Sequence, residues 1–323
     1  MRTYILRRLS QSIVVLWALI TILFVLFRLL PGDPLTIYVD EGLPPETQAA
    51  LLSQFGLDQP IWKQYVLYIY NAFQGDFGRS FHYRLPVTEI IAVKFWPTMI
   101  LMSSIIFVTY TAGILLGALL GWNRGSRAEP ALISGALMFK SAPVFWTGMM
   151  AIGLFSVILG WFPLGGMRSI GQNPETWAEE YLTLEFLHHL ILPTIIGALY
   201  HIGTPLLLMR STLLEVLDED YVELARAKGL TERVVLFRHA LRNALLPITT
   251  VLAVSLGSAL GGQVLIEVIF RWPGMGREIV QAVSSSDYPL SQALFFTMGT
   301  MTITMNLVAD LVYGYLDPRI VYD

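Results

Sequence analysis

Six apolar runs punctuate this chain, at residues 9–30, 98–121, 133–159, 190–209, 246–266 and 294–315. Each approaches or exceeds the roughly 20 residues that a helix needs to cross a bilayer, so the pattern predicts about six membrane-spanning helices. Lys140 and Pro143 interrupt the third run, and a proline removes a helix hydrogen bond where it falls. That span is therefore the most irregular. The first run follows Arg2, Arg7 and Arg8. It is too long for the apolar stretch of a secretory signal and lacks a small-residue cleavage site, so it reads as an uncleaved first span. Pro31-Gly32-Asp33-Pro34 then breaks the helix. Residues 33–97 are polar, with helical spacing at 44–55 and 62–73, and read as a small folded layer outside the membrane. The chain divides accordingly into 1–97 (first helix and external insert), 98–316 (membrane core) and 317–323 (a short tail). The fold class predicted is an all-α polytopic membrane protein.

One polar interval breaks this pattern most sharply. Residues 218–247 follow the fourth run and reach the start of the fifth, overlapping a charged loop at 211–245. Local chemistry predicts two short helices at an angle. Asp218 suits the N-cap of the first, Glu219 and Asp220 the positive end of its dipole, and Arg226 and Lys228 the negative end. Gly229 follows, a residue that takes a left-handed backbone at low cost. Thr231 suits the cap of the second helix. That helix carries Arg238 and Arg242 four apart on one face, with Phe237, Leu241 and Ala244 on another.

Composition agrees: 54% of residues are hydrophobic and 14% charged, unlike a soluble domain. There is no cysteine, which excludes disulfides and thiolate metal sites. No block of like charge points to nucleic acid. The formal net charge of −3 hides a sided distribution. With the N-terminus inside, Arg2, Arg7, Arg8, Arg124, Arg127, the loop's basic cluster and Arg319 share one side. Asp40, Glu41, Glu175, Glu179 and Glu180 fall on the other. Basic residues concentrate on the cytosolic side of short loops, so the pattern predicts N-in/C-in and a cytosolic 218–247 segment. Trp122, Trp161, Phe162 and Trp272 fall at span ends, where amphipathic rings favour the interface. Gly113, Gly117 and Gly121 are four apart, as are Gly257 and Gly261. That spacing suits close helix packing without a ligand role.

The 218–247 segment resembles the EAA loop of binding-protein-dependent ABC importer permeases. Glu223-Leu224-Ala225, Gly229 and Leu246-Pro247 match its Glu-Ala-Ala, Gly and Leu-Pro. Leu224 departs from the family's Ala, and Leu-Pro lies further downstream than in the shortest form, as in the peptide and nickel branch. Gly75-Asp76-Phe77-Gly78-Arg79-Ser80, Arg271-Trp272-Pro273-Gly274-Met275-Gly276 and Asp287-Tyr288-Pro289 are similar to the B-type permease of dipeptide and oligopeptide importers. So are 27–34, 55–60, 143–146, 160–163 and 316–319, in collinear order. The resemblance implies a type I importer fold in a bacterial or archaeal inner membrane. It implies a homologous second permease, two ATPase subunits holding ATP and magnesium, and an external solute-binding protein. It assigns ATPase coupling to Asp220, Tyr221, Glu223, Ala225, Arg226, Ala227, Lys228, Gly229 and Leu230. Arg238 and Arg242 would pair with acidic groups of the ATPase or with lipid phosphates. The implied cargo is a di- or oligopeptide. Nickel, glutathione and oligosaccharides are also served by this branch, and no residue here separates them.

The chain's own chemistry is sparse. It has no Gly-x-x-x-x-Gly-Lys-Ser/Thr loop, so ATP is expected on partner chains and no cofactor on this one. His188 and His189 point about 100° apart on a helix and suit packing rather than metal binding. The methionines likewise suit packing. Polar groups within spans are sharper clues, because burying them is costly. Asn306 and Asp310 are four apart on the last run, and Gln263 and Glu267 repeat that spacing near the outer end of the fifth. His201 and Lys140 are isolated. His201, Gln263 and Asn306 are expected to face a translocation path, with interhelical hydrogen bonding as an equal alternative, and Asp310 to anchor a helix end. A membrane enzyme would need a convergent nucleophile and base, and a stand-alone secondary transporter would show internal repeats. Neither is evident.

Overall fold

The computed structural model describes residues 2–29, 59–169, 171, 174–259 and 264–316. Among these the regular structure is helical, apart from one isolated bridge between Arg79 and Pro86. The order is α1 (Arg2–Leu29), α2 (Ile61–Gln74), α3 (Val87–Trp122), α4 (Ala128–Ser141), α5 (Val144–Ala151), α6 (Trp177–Tyr181), α7 (Leu184–His201) and α8 (Gly203–Leu217). Then come α9 (Asp220–Ala227), α10 (Glu232–Val234), α11 (Leu241–Ala259), α12 (Val264–Ile269), α13 (Met275–Ser284) and α14 (Tyr288–Leu316). Two π-helical turns, Ile152–Ile158 after α5 and Val235–Ala240 before α11, widen their helices.

Four helices, Tyr4–Arg28, Val87–Trp122, Glu232–Leu256 and Tyr288–Leu311, are long and apolar enough to cross a membrane. Two bent pairs meet the same test together: α4 with Val144–Ile158, bent 106°, and α7 with α8, bent 49°. The expected runs are thus helical and in the expected order, though their ends differ. The fifth begins at Glu232 rather than 246, and residues 264–269 form the separate short α12.

Both bends have local causes. Ala142 is extended (φ −73°, ψ 139°), because the Pro143 ring disfavours the α region for its predecessor. Pro205, in the first turn of α8, clashes with a helical path through His201 four residues earlier, which bends α7 into α8. At about 54 Å for 36 residues, α3 outruns the bilayer and carries its first turns beyond it.

Packing is organised on α3 and α8. A Cβ on Gly113 would come 2.7 Å from Pro205 Cγ, and one on Gly121 3.1 Å from Leu213 Cδ2. One on Gly117 would strike the Leu206 carbonyl. The four-residue glycine spacing therefore lets α3 and α8 meet backbone to backbone, as expected of small residues in membrane helices. Thr212 ties α8 to α11, its hydroxyl donating to the Ala244 carbonyl (3.2 Å). Arg8 pairs with Asp310 (3.2 Å) and the Tyr4 hydroxyl donates to the Asp310 carbonyl. The start of α1 and the end of α14 are thereby held at one end of the bundle, and Asp310 is the anchor expected of it. Large apolar side chains such as Ile13, Val14, Ile22 and Phe107 cover the outer surface, the reverse of a soluble protein.

Trp272 is a correction. Rather than lying at an interface it is fully buried, its indole N–H donating to the Pro97 carbonyl (2.8 Å). Its ring lies in a cluster with Leu101 and Met102 of α3 and Phe186 and Leu190 of α7, which its place in sequence did not reveal. The expected helix at 44–55 and the positions Asp40, Glu41, Gly261, Gln263 and Arg319 lie outside the described residues. The second expected outer helix is present as α2.

Candidate functional site

The charged loop folds as a bracket hung from α8. Asp218 closes α8 rather than capping α9, and Glu219 holds the N-cap position of α9 in an extended conformation, without a side-chain cap. Glu215 and Val216 carbonyls accept from the Asp218 and Glu219 N–H groups, a tight turn that shifts the N-cap one residue downstream of the sequence expectation. Gly229 takes φ +78° as expected, and Thr231 sits at the next N-cap position with no side-chain cap bond. A second separate helix does not form. Its residues run through Val235–Ala240 directly into α11.

Within α9, Val222 and Ala225 are three apart and so share a face. Both are buried against Val235 and the end of α8 at Val216 and Leu217. The remaining coupling candidates, Asp220, Tyr221, Glu223, Arg226, Ala227, Lys228, Gly229 and Leu230, are all exposed. Leu224, the departure from the family pattern, is 55% exposed among them. Of the Glu223-Leu224-Ala225 triplet, then, Ala225 seats the helix while Glu223 and Leu224 face outward. Asn243 donates to the Tyr221 hydroxyl (2.7 Å), fixing α9 to α11, and Arg226 pairs with Glu232 (3.3 Å). Arg238 and Arg242 are exposed beside Phe237, which is 70% exposed.

A staple that local pattern did not reveal holds α8, from which the bracket hangs, to α4 and the loop before it. Glu129, in the first turn of α4, accepts from the Gly125 N–H (2.7 Å) and from Arg210 of α8 (Nε at 2.7 Å). Its signal was only an acid in a helix first turn, and the partner lies 81 residues away.

At the opposite end of α3, two fully buried carboxylates organise the loops. Glu267 accepts from the Thr98 hydroxyl (2.8 Å) and the Arg277 N–H (3.0 Å). Side chains on Gly274 or Gly276 would run into it, which explains the glycines of the Trp272–Gly276 stretch. Asp287 caps α14 through the Leu290 N–H (3.3 Å) and also accepts from the Ser80 hydroxyl and the His82 N–H (3.0 Å). Lys94 pairs with Glu278 (2.9 Å) beside it. Burial, then Glu278, pushes the Tyr83 phenol up to about 12. Asp287→Ala is expected to cost about 3 kcal/mol, because it strands buried donors and removes a cap. Limited proteolysis should then cut within residues 75–86 of the variant and not of the parent.

His188 and His189 each bond to a loop carbonyl, of Trp161 (2.7 Å) and Gly166 (3.1 Å). Of the path candidates, His201 ends α7, which packs on α3, α4 and α5, and Asn306 is exposed on α14, which packs on α1, α11, α13 and α3; Gln263 lies outside the described residues.

A helical bundle with an apolar exterior and several helices long enough to cross a bilayer fits an all-α polytopic membrane protein. Residues 113–322 match the family described as binding-protein-dependent transport system inner membrane component, and residues 1–103 match its N-terminal family. The chain belongs to this family. It is 39% identical over 336 residues to the dipeptide transport system permease protein DppB of Escherichia coli (strain K12), covering 99% of each. It is 37% identical over 332 residues, again 99% of each, to the di/tripeptide transport system permease protein DppB of Pseudomonas aeruginosa (strain UCBPP-PA14).

Proposed function

We propose that this chain is one of two homologous permease subunits of an ATP-driven importer of di- and oligopeptides in a bacterial or archaeal inner membrane. Its relatives are named for dipeptide and di/tripeptide transport along nearly their whole length. The bracket is cytosolic in this reading, as are both termini, consistent with the Arg8–Asp310 pair. The observation that carries the coupling role is the division of α9, with Val222 and Ala225 anchored on α8 and Glu223, Leu224 and Lys228 turned outward.

Mechanically, an ATPase subunit grips the outer face of α9. Its displacement passes to α8 through Val222 and Ala225, which cluster with Val216 and Leu217, and from α8 to α3 through the glycine seam, because packed interfaces transmit shifts rather than absorb them. Two such permeases rocking together open the path outward when the ATPases close and inward after hydrolysis. A solute-binding protein delivers cargo to the outer mouth.

Reconstitution of the permease pair with its ATPases and binding protein tests this. Dialanine-loaded binding protein is expected to accelerate ATP hydrolysis and drive dialanine uptake, and nickel, glutathione or oligosaccharide is not. Uptake by the permease chains without any ATPase would overturn the reading.

A further inference from the structure

We propose that Lys140 forms an anion-binding subsite in the translocation path, taking the carboxylate of the peptide in transit. The inference rests on the peptide-importer reading above. Lys140 is the penultimate residue of α4, just before the Ala142–Pro143 break. Its aliphatic stem lies over Gly203, where a Cβ would stand 3.6 Å from Lys140 Cδ, and its ammonium donates to the Thr204 hydroxyl (3.3 Å). Thr204 is in the first turn of α8, just past the α7–α8 bend that follows His201. Both bent spans therefore break at one place, and Lys140 joins the two breaks.

This junction lies at membrane depth. Along α8 Thr204 is six residues from Arg210, about 9 Å, and along α4 Lys140 is eleven residues from Glu129, about 16 Å. Taking the Glu129–Arg210 pair as the cytosolic boundary, the ammonium, bonded to Thr204, stands about 9 Å along α8 into a hydrocarbon layer about 30 Å thick. Yet Lys140, Ser141, Pro143 and Thr204 are all exposed on this chain. Lipid is a poor neighbour for an ammonium, and irregular backbone at this depth occurs where protein or water covers it. Broken helices meeting at depth are where transporters hold their cargo.

An ammonium carries three donors, and the acceptor described for it is a single neutral hydroxyl. None of the ion pairs among the described residues includes Lys140. The C-terminal carbonyls of α4 favour positive charge at that spot. What this geometry offers is a fixed cation on a wet wall, and a peptide's carboxylate is the complementary group.

The sequence contains no cysteine, so Lys140→Cys introduces a single thiol into this chain. In the reconstituted full complex, K140C is expected to lower dialanine turnover about tenfold, the scale of a lost charged hydrogen bond. Assembly of the complex should be retained. Aminoethyl methanethiosulfonate, which rebuilds a lysine-like ammonium, should restore uptake, and the sulfonatoethyl reagent should not; the cysteine-free parent chain in the same complex controls for other thiols. The rescue should persist in vesicles of zwitterionic lipid alone. A thiol that does not react with these water-soluble reagents, rescue by both or neither, or undiminished turnover in K140C would overturn the subsite. Rescue that requires anionic lipid would assign the ammonium to a lipid phosphate instead. A parent complex that imports no peptide would overturn the peptide reading itself, whereas peptide import indifferent to Lys140 overturns the subsite alone.

Discussion

Replacing Gly117 by leucine is expected to abolish accumulation of the folded chain in membranes. A Cβ at this position would overlap the Leu206 carbonyl and stand 2.7 Å from Met209 Cβ, and backbone cannot rotate away as a long side chain can. Overpacking alone costs about 1–3 kcal/mol, and here it forces apart the α3–α8 seam on which Leu213 and Met209 are fully buried. The same substitution at Gly135, where nothing lies within 4 Å of a built Cβ, should be tolerated. Membrane yield and the thermal midpoint in detergent distinguish the two variants. Equal yields would mean that the seam is looser than these distances.

The second large effect is expected at the bracket's outer face. Leu224→Asp places a charge at an exposed site, so folding should change by no more than about 0.5 kcal/mol. Docking of a partner that buries Leu224 should weaken by about 2 kcal/mol or more, roughly 30-fold. Peptide-stimulated ATP hydrolysis should therefore collapse in a variant that still inserts. Leu224→Ala, which restores the family's Glu-Ala-Ala, should retain most of it. Gly229→Asp belongs with the first variant. Its φ of +78° disfavours a Cβ but nothing crowds the position, so the loss should appear in coupling rather than in folding. Normal stimulation in the assembled Leu224→Asp and Gly229→Asp complexes would refute a grip on this face.

Much of the bracket was legible because its determinants are local. The glycine after a charged helix, the acids at its start and the basic residues at its end act within a turn or two. The misplacement of Asp218 has the same origin: the Asp218–Asp220 acids all suit a helix start, and the turn closing α8 chose among them. Apolar run length predicted the spans, whereas their ends were set by Pro143, Pro205 and the merging of α10 into α11.

From its sequence alone, this chain was expected to be a helical membrane protein with about six spans and one polar elbow, since run length and capping are read over a few consecutive residues; four helices and two bent pairs meet that length and composition. Which polar residues meet was decided only by the tertiary structure. Thr98 and Glu267 are 169 residues apart, Ser80 and Asp287 207, and Lys140 and Thr204 64. No periodicity carries information over such separations. Those pairs form because a polar group taken out of water must find a partner wherever the packed helices bring one.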